Sequence, residues 1–202
     1  SHVLNDLKSR ESELKKQLSE KQMAAEKIAR AIQKIIEEEA KKAAELAKKN
    51  RTPGEYALTP EDKLISDNFG NNKGRLPWPT ERGEITSTFG EHEHPVLHGI
   101  KVRNNGVDIS TQKGAIARAV FEGEVRQVLE IPGADKVVII RHGSYLSVYQ
   151  NLDNVFVSTG DKIKAKQSLG TIHTKGSDNT TTLQFQIWQE STKLDPALWL
   201  SR

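Results

Sequence analysis

His92, His94 and His98 fall within seven residues, a density of imidazoles that invites a metal-binding reading. His142 and His173 stand alone further on. The chain has no cysteine, which excludes a disulfide framework, a thiolate metal site and a cysteine nucleophile. No glycine-rich nucleotide loop occurs. The 30 Lys+Arg and 27 Asp+Glu residues leave a formal net charge of +3 over 202 residues. Because the two signs are interleaved, this is no nucleic-acid footprint, and no nucleic-acid partner is expected. The apolar runs are only a few residues long, too short for a transmembrane helix.

The elements that must position these side chains divide near residue 50. Residues 1–50 contain none of the 14 Gly, 7 Pro or 11 aromatics, and 21 of the 50 are charged, against 36 of the following 152. A breaker-free segment rich in Ala, Lys, Glu, Gln and Leu predicts one helix over 3–49, roughly 70 Å long at 1.5 Å per residue. Leu7, Leu14, Leu18, Ala25, Ile28, Ile32 and Ile35 form a heptad-like seam, interrupted by Lys21 and closing at Glu39. Such a coiled-coil segment needs a partner helix, either the other arm of an antiparallel hairpin or a second copy. Ser1-His2 reads as a cloning remnant, and the chain as a fragment whose original N-terminus and export signal are missing.

Residues 51–75 read as a linker carrying a short helix. Thr59-Pro60-Glu61-Asp62 supplies an N-cap hydroxyl, a proline at the first helical position and acids in the first turn. Leu64, Ile65 and Phe69 share a face, Gly70 suits a left-handed cap, and Pro53-Gly54 and Asn71-Asn72 flank the helix. Two readings stay open: ordinary packing on its own domain, or a restraining arm across a groove.

From residue 76 the texture is β. Short β-branched and aromatic runs are expected at Glu84–Phe89, Ile116–Val120, Glu124–Val128, Lys136–Arg141, Ser144–Gln150, Asn154–Val157 and Thr181–Trp188. Glycines punctuate them, which predicts an antiparallel barrel or sandwich over 76–202. No βαβ alternation occurs, so a doubly wound sheet is excluded.

The order of motifs in this region resembles the lysostaphin-type (LytM) zinc metallopeptidases that cut peptidoglycan peptide bonds. The resemblance rests on Ile85-Thr86-Ser87-Thr88-Phe89-Gly90, His94-Pro95, Asn105-Gly106-Val107-Asp108-Ile109 and Ala119-Val120-Phe121-Glu122-Gly123-Glu124-Val125. It continues through Ile140-Arg141-His142-Gly143, Tyr149-Gln150-Asn151-Leu152, Gly160-Asp161-Lys162-Ile163 and Leu183-Gln184-Phe185-Gln186-Ile187. It implies a mainly β, duplicated-hybrid-motif-like antiparallel domain behind a long coiled-coil helix.

It also implies a degenerate site. Active members carry histidines where this chain has Asn104, Asn151, Thr182 and Gln184, so Asp108 alone of the expected zinc ligands remains. Neutral amides substitute poorly for imidazole, and neither Asn151 nor Thr182 titrates near neutrality. The zinc site is therefore expected to be lost, leaving no catalytic residue and no cofactor. His94 matches a non-ligand His-Pro of the family. His98-Gly99-Ile100 imitates the start of the ligand motif but leads to Val102 where an aspartate belongs.

A coiled coil followed by a LytM domain stripped of its ligands is similar to the murein hydrolase activators of the EnvC-like type. That resemblance implies a non-enzymatic, periplasmic or otherwise extracytoplasmic, cell-envelope-associated protein acting in daughter-cell separation. The coiled coil would engage a membrane division complex, and the LytM groove a cell-wall amidase. Two alternatives remain at this stage: an active or altered zinc endopeptidase, and a non-catalytic peptidoglycan-binding scaffold.

Overall fold

The computed structural model describes residues 2–50 and 58–202; Pro53-Gly54 lies outside them. With no breaker to stop it, the first segment forms one helix, α1 (His2–Asn50). A second helix, α2 (Pro60–Asn71), starts where the capping residues direct, with the Asp62 N–H donating to Thr59 Oγ1 at 3.1 Å. It does not stop at Gly70, which lies inside the helix. A side chain there would stand 3.1 Å from Tyr145 Oη, so the glycine permits close approach and is not a left-handed cap.

Twelve strands follow: β1 (Glu84–Ser87), β2 (Gly90–Glu93), β3 (Lys101–Asn104), β4 (Val107–Thr111), β5 (Ile116–Arg118) and β6 (Gly123–Ile131). Then come β7 (Asp135–His142), β8 (Tyr145–Val155), β9 (Lys162–Ile163), β10 (Ser168–Ile172), β11 (Thr181–Gln189) and β12 (Thr192–Leu194). The main antiparallel path runs β1-β4-β11-β8-β7-β6-β9, and β2 and β3 form a separate hairpin. The expected runs at Ser144–Gln150 and Asn154–Val157 are largely one strand, β8, with Asn151 at φ 68° marking its irregularity. Strands β2, β3, β4, β9, β10 and β12 carry too few apolar residues, or are too short, to stand out in the sequence.

The inner face of the sheet builds the principal core from Val138, Ile140, Tyr149, Leu183, Phe185 and Ile187 among others. Phe69 of α2 belongs to this core, packed against His142, Tyr145, Phe121 and Trp199. Leu64, by contrast, is 62% exposed, and Ile65 is only half-buried. The apolar face read as Leu64–Ile65–Phe69 is therefore not the packing face: Ser66 and Phe69 make the contact, with Ser66 Oγ 2.7 Å from Ser144 Oγ.

The opposite face of the sheet carries a second core, and α1 closes it. Ala24, Ile28, Ile32 and Ile35 bury against Ile131, Ala134, Val137, Ile139, Leu146, Val148 and Trp188. The part of the helical stripe expected to need a second helix thus has the sheet as its partner. The buried stripe runs through Ala24, with Ala25 only half-buried, so its residues fall at spacings of four, four and three. Towards its N-terminus the same helix is uncovered, with Leu7 57% exposed.

Candidate functional site

Side chains alternate across a strand, so Thr182, Gln184, Gln186 and Trp188 of β11 share the face opposite to Leu183, Phe185 and Ile187. Strand pairing sets Asp108 of β4 beside Gln184 and Gln184 beside Gln150 of β8. One row across the sheet therefore reads Asp108, Gln184, Gln150. Two and four residues along, the same face becomes Val148 with Gln186, then Leu146 with Trp188. The row where the resemblance places metal ligands and the seat of α1 are two ends of one continuous face.

The polar end is held together by carboxamides. Trp188 Nε1–H donates to Gln186 Oε1 at 2.9 Å, and Gln186 Nε2 to Gln184 Oε1 at 3.0 Å. Gln184 Nε2 donates to Asn104 Oδ1 at 2.8 Å, and Asn104 Nδ2 to Ser87 Oγ at 3.1 Å and Asp108 Oδ1 at 3.4 Å. Gln150 adds a second donor to Gln184 Oε1 at 2.5 Å. The chain runs from an indole, which can only donate, towards an aspartate, which accepts when ionised. Every amide between them is oriented accordingly.

Asn104, Asp108 and Gln184 are thus in mutual contact, directly or through Asn104. Asn151 and Thr182 join from the rim, where Asn151 Nδ2 donates to the Thr182 carbonyl at 3.1 Å. The Asn151 N–H also donates to Ala134 O at 2.9 Å, tying the rim to the β6–β7 turn beneath α1. Burial pushes the Asp108 carboxyl up from its ordinary value; Lys21 of α1 and the Asn104 hydrogen bond draw it back. The lysine that interrupts the apolar seam in sequence is therefore the residue whose charge reaches the site.

The donor set does not fit zinc. Zinc takes imidazole nitrogen, thiolate or carboxylate oxygen. Here one carboxylate is accompanied by amides whose N–H groups point inward, and Asn104 Oδ1 already accepts from Gln184 and from the Gly106 N–H at 3.0 Å. No metal-assisted step can be assigned to these residues.

The histidines are placed separately. His92 Nε2 lies 2.8 Å from Thr88 O, and His94 Nδ1 accepts from the Val96 and Leu97 N–H groups. His173 pairs with Asp153. His142 is fully buried between Glu122 O and Ser147 Oγ. Among the described residues no group of three or more His, Asp or Glu side chains gathers in a way that could hold a metal.

The helix expected to restrain the groove is at the wrong end of the sheet. α2 packs on the β7–β8 turn and Tyr145, and Tyr145 pairs with Gln189 while the site row lies at Gln150 and Gln184. Five residues of strand separate them, roughly 17 Å. It is α1 that lies on the site's face, with the Glu20 carbonyl against Gly133 and Ala24 against Ile131 and Ala134. Gln150, Gln186 and Trp188 were missed as site residues; the two-residue alternation Gln184, Gln186, Trp188 was the available signal.

Residues 102–196 match the model of Peptidase family M23. The chain is 27% identical to the murein hydrolase activator EnvC of Escherichia coli (strain K12), over 98% of this chain and 46% of that protein. It is 28% identical to the cell division protein DipM of Caulobacter vibrioides (strain NA1000 / CB15N), over 75% of this chain and 25% of that protein. Among solved structures, a zinc containing peptidase from Vibrio cholerae shares 29% identity with a TM-score of 0.54, covering 62% of this chain and 39% of that one. The chain spans less than half the length of the two curated relatives.

Proposed function

We propose that this chain is a non-enzymatic activator of a peptidoglycan amidase, working outside the cytoplasm in cell-wall remodelling and daughter-cell separation. One observation supports the reading: an amide chain through Gln186, Gln184 and Asn104 fills the positions where the resemblance places metal ligands, and α1 covers the apolar end of the same face. A covered face without catalytic ligands suits a switch better than an enzyme. The amidase binds this face when α1 leaves it, and the ligand positions hold no zinc. The uncovered N-terminal part of α1, with Val3, Leu4 and Leu7 exposed, serves as the coiled-coil arm for a membrane division complex. Among the described residues no helix is long and apolar enough to cross a membrane.

The test is dye release from labelled sacculi with the chain alone, candidate amidases alone, and both together. Release only from the mixture is expected, and Ile32→Asp, which places a charge in the helix seat, increases it. Release by the chain alone points to a peptidase and overturns the proposal. Binding to sacculi with no effect on any amidase overturns it in favour of a scaffold.

A further inference from the structure

The apolar seat of α1 ends in a charged border. One turn beyond Ile35, Glu39 enters a cluster with Arg126 of β6 and Arg141 of β7, at 3.3 Å from Arg126 Nε and 3.0 Å from Arg141 Nε. Both arginines are also held by the domain itself. Arg126 reaches Glu124 at 3.5 Å, and Arg141 reaches Asp62 at 3.4 Å and donates to Gly143 O at 3.1 Å. Lys162 completes the group through Glu124 at 3.1 Å. With Glu39 in place, three carboxylates face three cations. Without it, the cluster carries two carboxylates against three cations, with both guanidinium groups still anchored.

Glu39 fills this position imperfectly. Its Oε1 and the Arg126 Nε are close and buried, yet neither has an aligned hydrogen-bond partner among the described residues. Burial pushes the Glu39 carboxyl up, and Arg141 and Arg126 only draw it back. The two arginine side chains are 16% and 19% exposed, so water screens their charge less than at an open surface.

We infer that Arg126 and Arg141 read a carboxylate on the helix that replaces α1. The partner's docking segment is then an amphipathic helix with small or aliphatic residues at intervals of four, four and three and an acidic residue one turn further on, as in Ala24, Ile28, Ile32, Ile35 and Glu39. This rests on the reading that α1 is exchanged for a partner. The apolar stripe supplies contact area, and the arginines fix direction and register, because a helix docked backwards brings no acid to them.

The test uses the full chain carrying Ile32→Asp, which opens the seat, and a fluorescent synthetic peptide of residues 20–43 with its Glu39→Gln version. The parent peptide is expected to bind on the order of tenfold more tightly than the Gln peptide, as fits a charge-assisted pair. The difference disappears when Arg126→Gln and Arg141→Gln are added. If Ile32→Asp does not fold, Glu39→Lys opens the seat from its polar end and takes its place. Equal affinity of the two peptides for the arginine-bearing chain overturns the inference, as does failure of the parent peptide to bind a folded, opened chain. A candidate amidase that binds the opened chain should lose a similar factor on the double-arginine variant, and equal binding overturns the inference. An amidase unaffected by the chain, with the peptide pair still distinguished, overturns the proposed function and supports the arginine reading.

Discussion

Gln184 donates to Asn104 across 2.8 Å, joining the β11 strand to the end of β3 at the point where family resemblance places two of three metal ligands. This hydrogen bond keeps Asn104 Oδ1 turned away from any ion and leaves its Nδ2 facing Asp108. The same closeness means that little rearrangement is needed to rebuild a metal site.

Asn104→His combined with Gln184→His should restore three donors with Asp108 and bind close to one zinc per chain. The unaltered protein should hold none in stoichiometric amount after chelation and dialysis. Elemental analysis of both checks this. Zinc retained by the unaltered chain would contradict the donor-set reading.

Phe69 and Leu64 should separate sharply. Phe69→Ala removes a fully buried ring from the main core and should cost about 3–5 kcal/mol. Leu64→Ala, at an exposed position, should change stability by no more than about 0.5 kcal/mol. Urea unfolding of the two variants measures both. Removing residues 51–75 should therefore weaken the β domain, not simply uncover a groove.

Acid should destabilise the protein through His142. Burial lowers this imidazole from 6.5 to about 4, opposed by the hydrogen bond to Glu122 O. The unfolded chain takes up the proton first, so the contribution is intact above pH 6.5 and is lost as the pH falls towards 4. A gap of this size amounts to about 3 kcal/mol. Asp108 and Glu39, raised by burial, act in the opposite direction and partly offset the loss. The stability difference between the unaltered chain and His142→Gln, measured from pH 7.5 to 4, isolates the histidine.

Lys21→Gln should raise the Asp108 pKa further, since it removes the opposing charge and leaves the burial. Carboxyl NMR titration of Asp108 in both proteins provides the measurement. No change would mean that α1 does not hold its lysine over the site in solution.

The motif runs behind the match to Peptidase family M23 were legible in the sequence, because each is a short contiguous run. The length of α1 was equally plain from the absence of breakers. Its partner was not. Ile28, Ile32 and Ile35 suit a helix or a sheet equally well, and only the matching face of Val137, Ile139, Leu146 and Val148 decides between them. Those residues sit in runs such as Val137–Ile140 that are apolar at every position, so periodicity alone could not reveal two buried faces. For α2 the N-cap signals were correct and the Gly70 cap was not, and since a 12-residue helix offers several faces, tertiary contact chose the one through Ser66 and Phe69.

Before Ala24 no residue of α1 is buried among the described residues, and the Glu20 carbonyl meets Gly133, so about 27 Å of helix extends beyond its first contact with the sheet. This overhang makes the direction of an applied force decisive. A pull along the helix axis loads Ala24, Ile28, Ile32, Ile35 and Glu39 together, and they resist in shear as a set. A sideways pull on the free end acts as a lever, lifting the small Ala24 first and peeling the isoleucines in turn. The Glu39–arginine contacts, at the far end, then yield last and act as the hinge about which the helix swings.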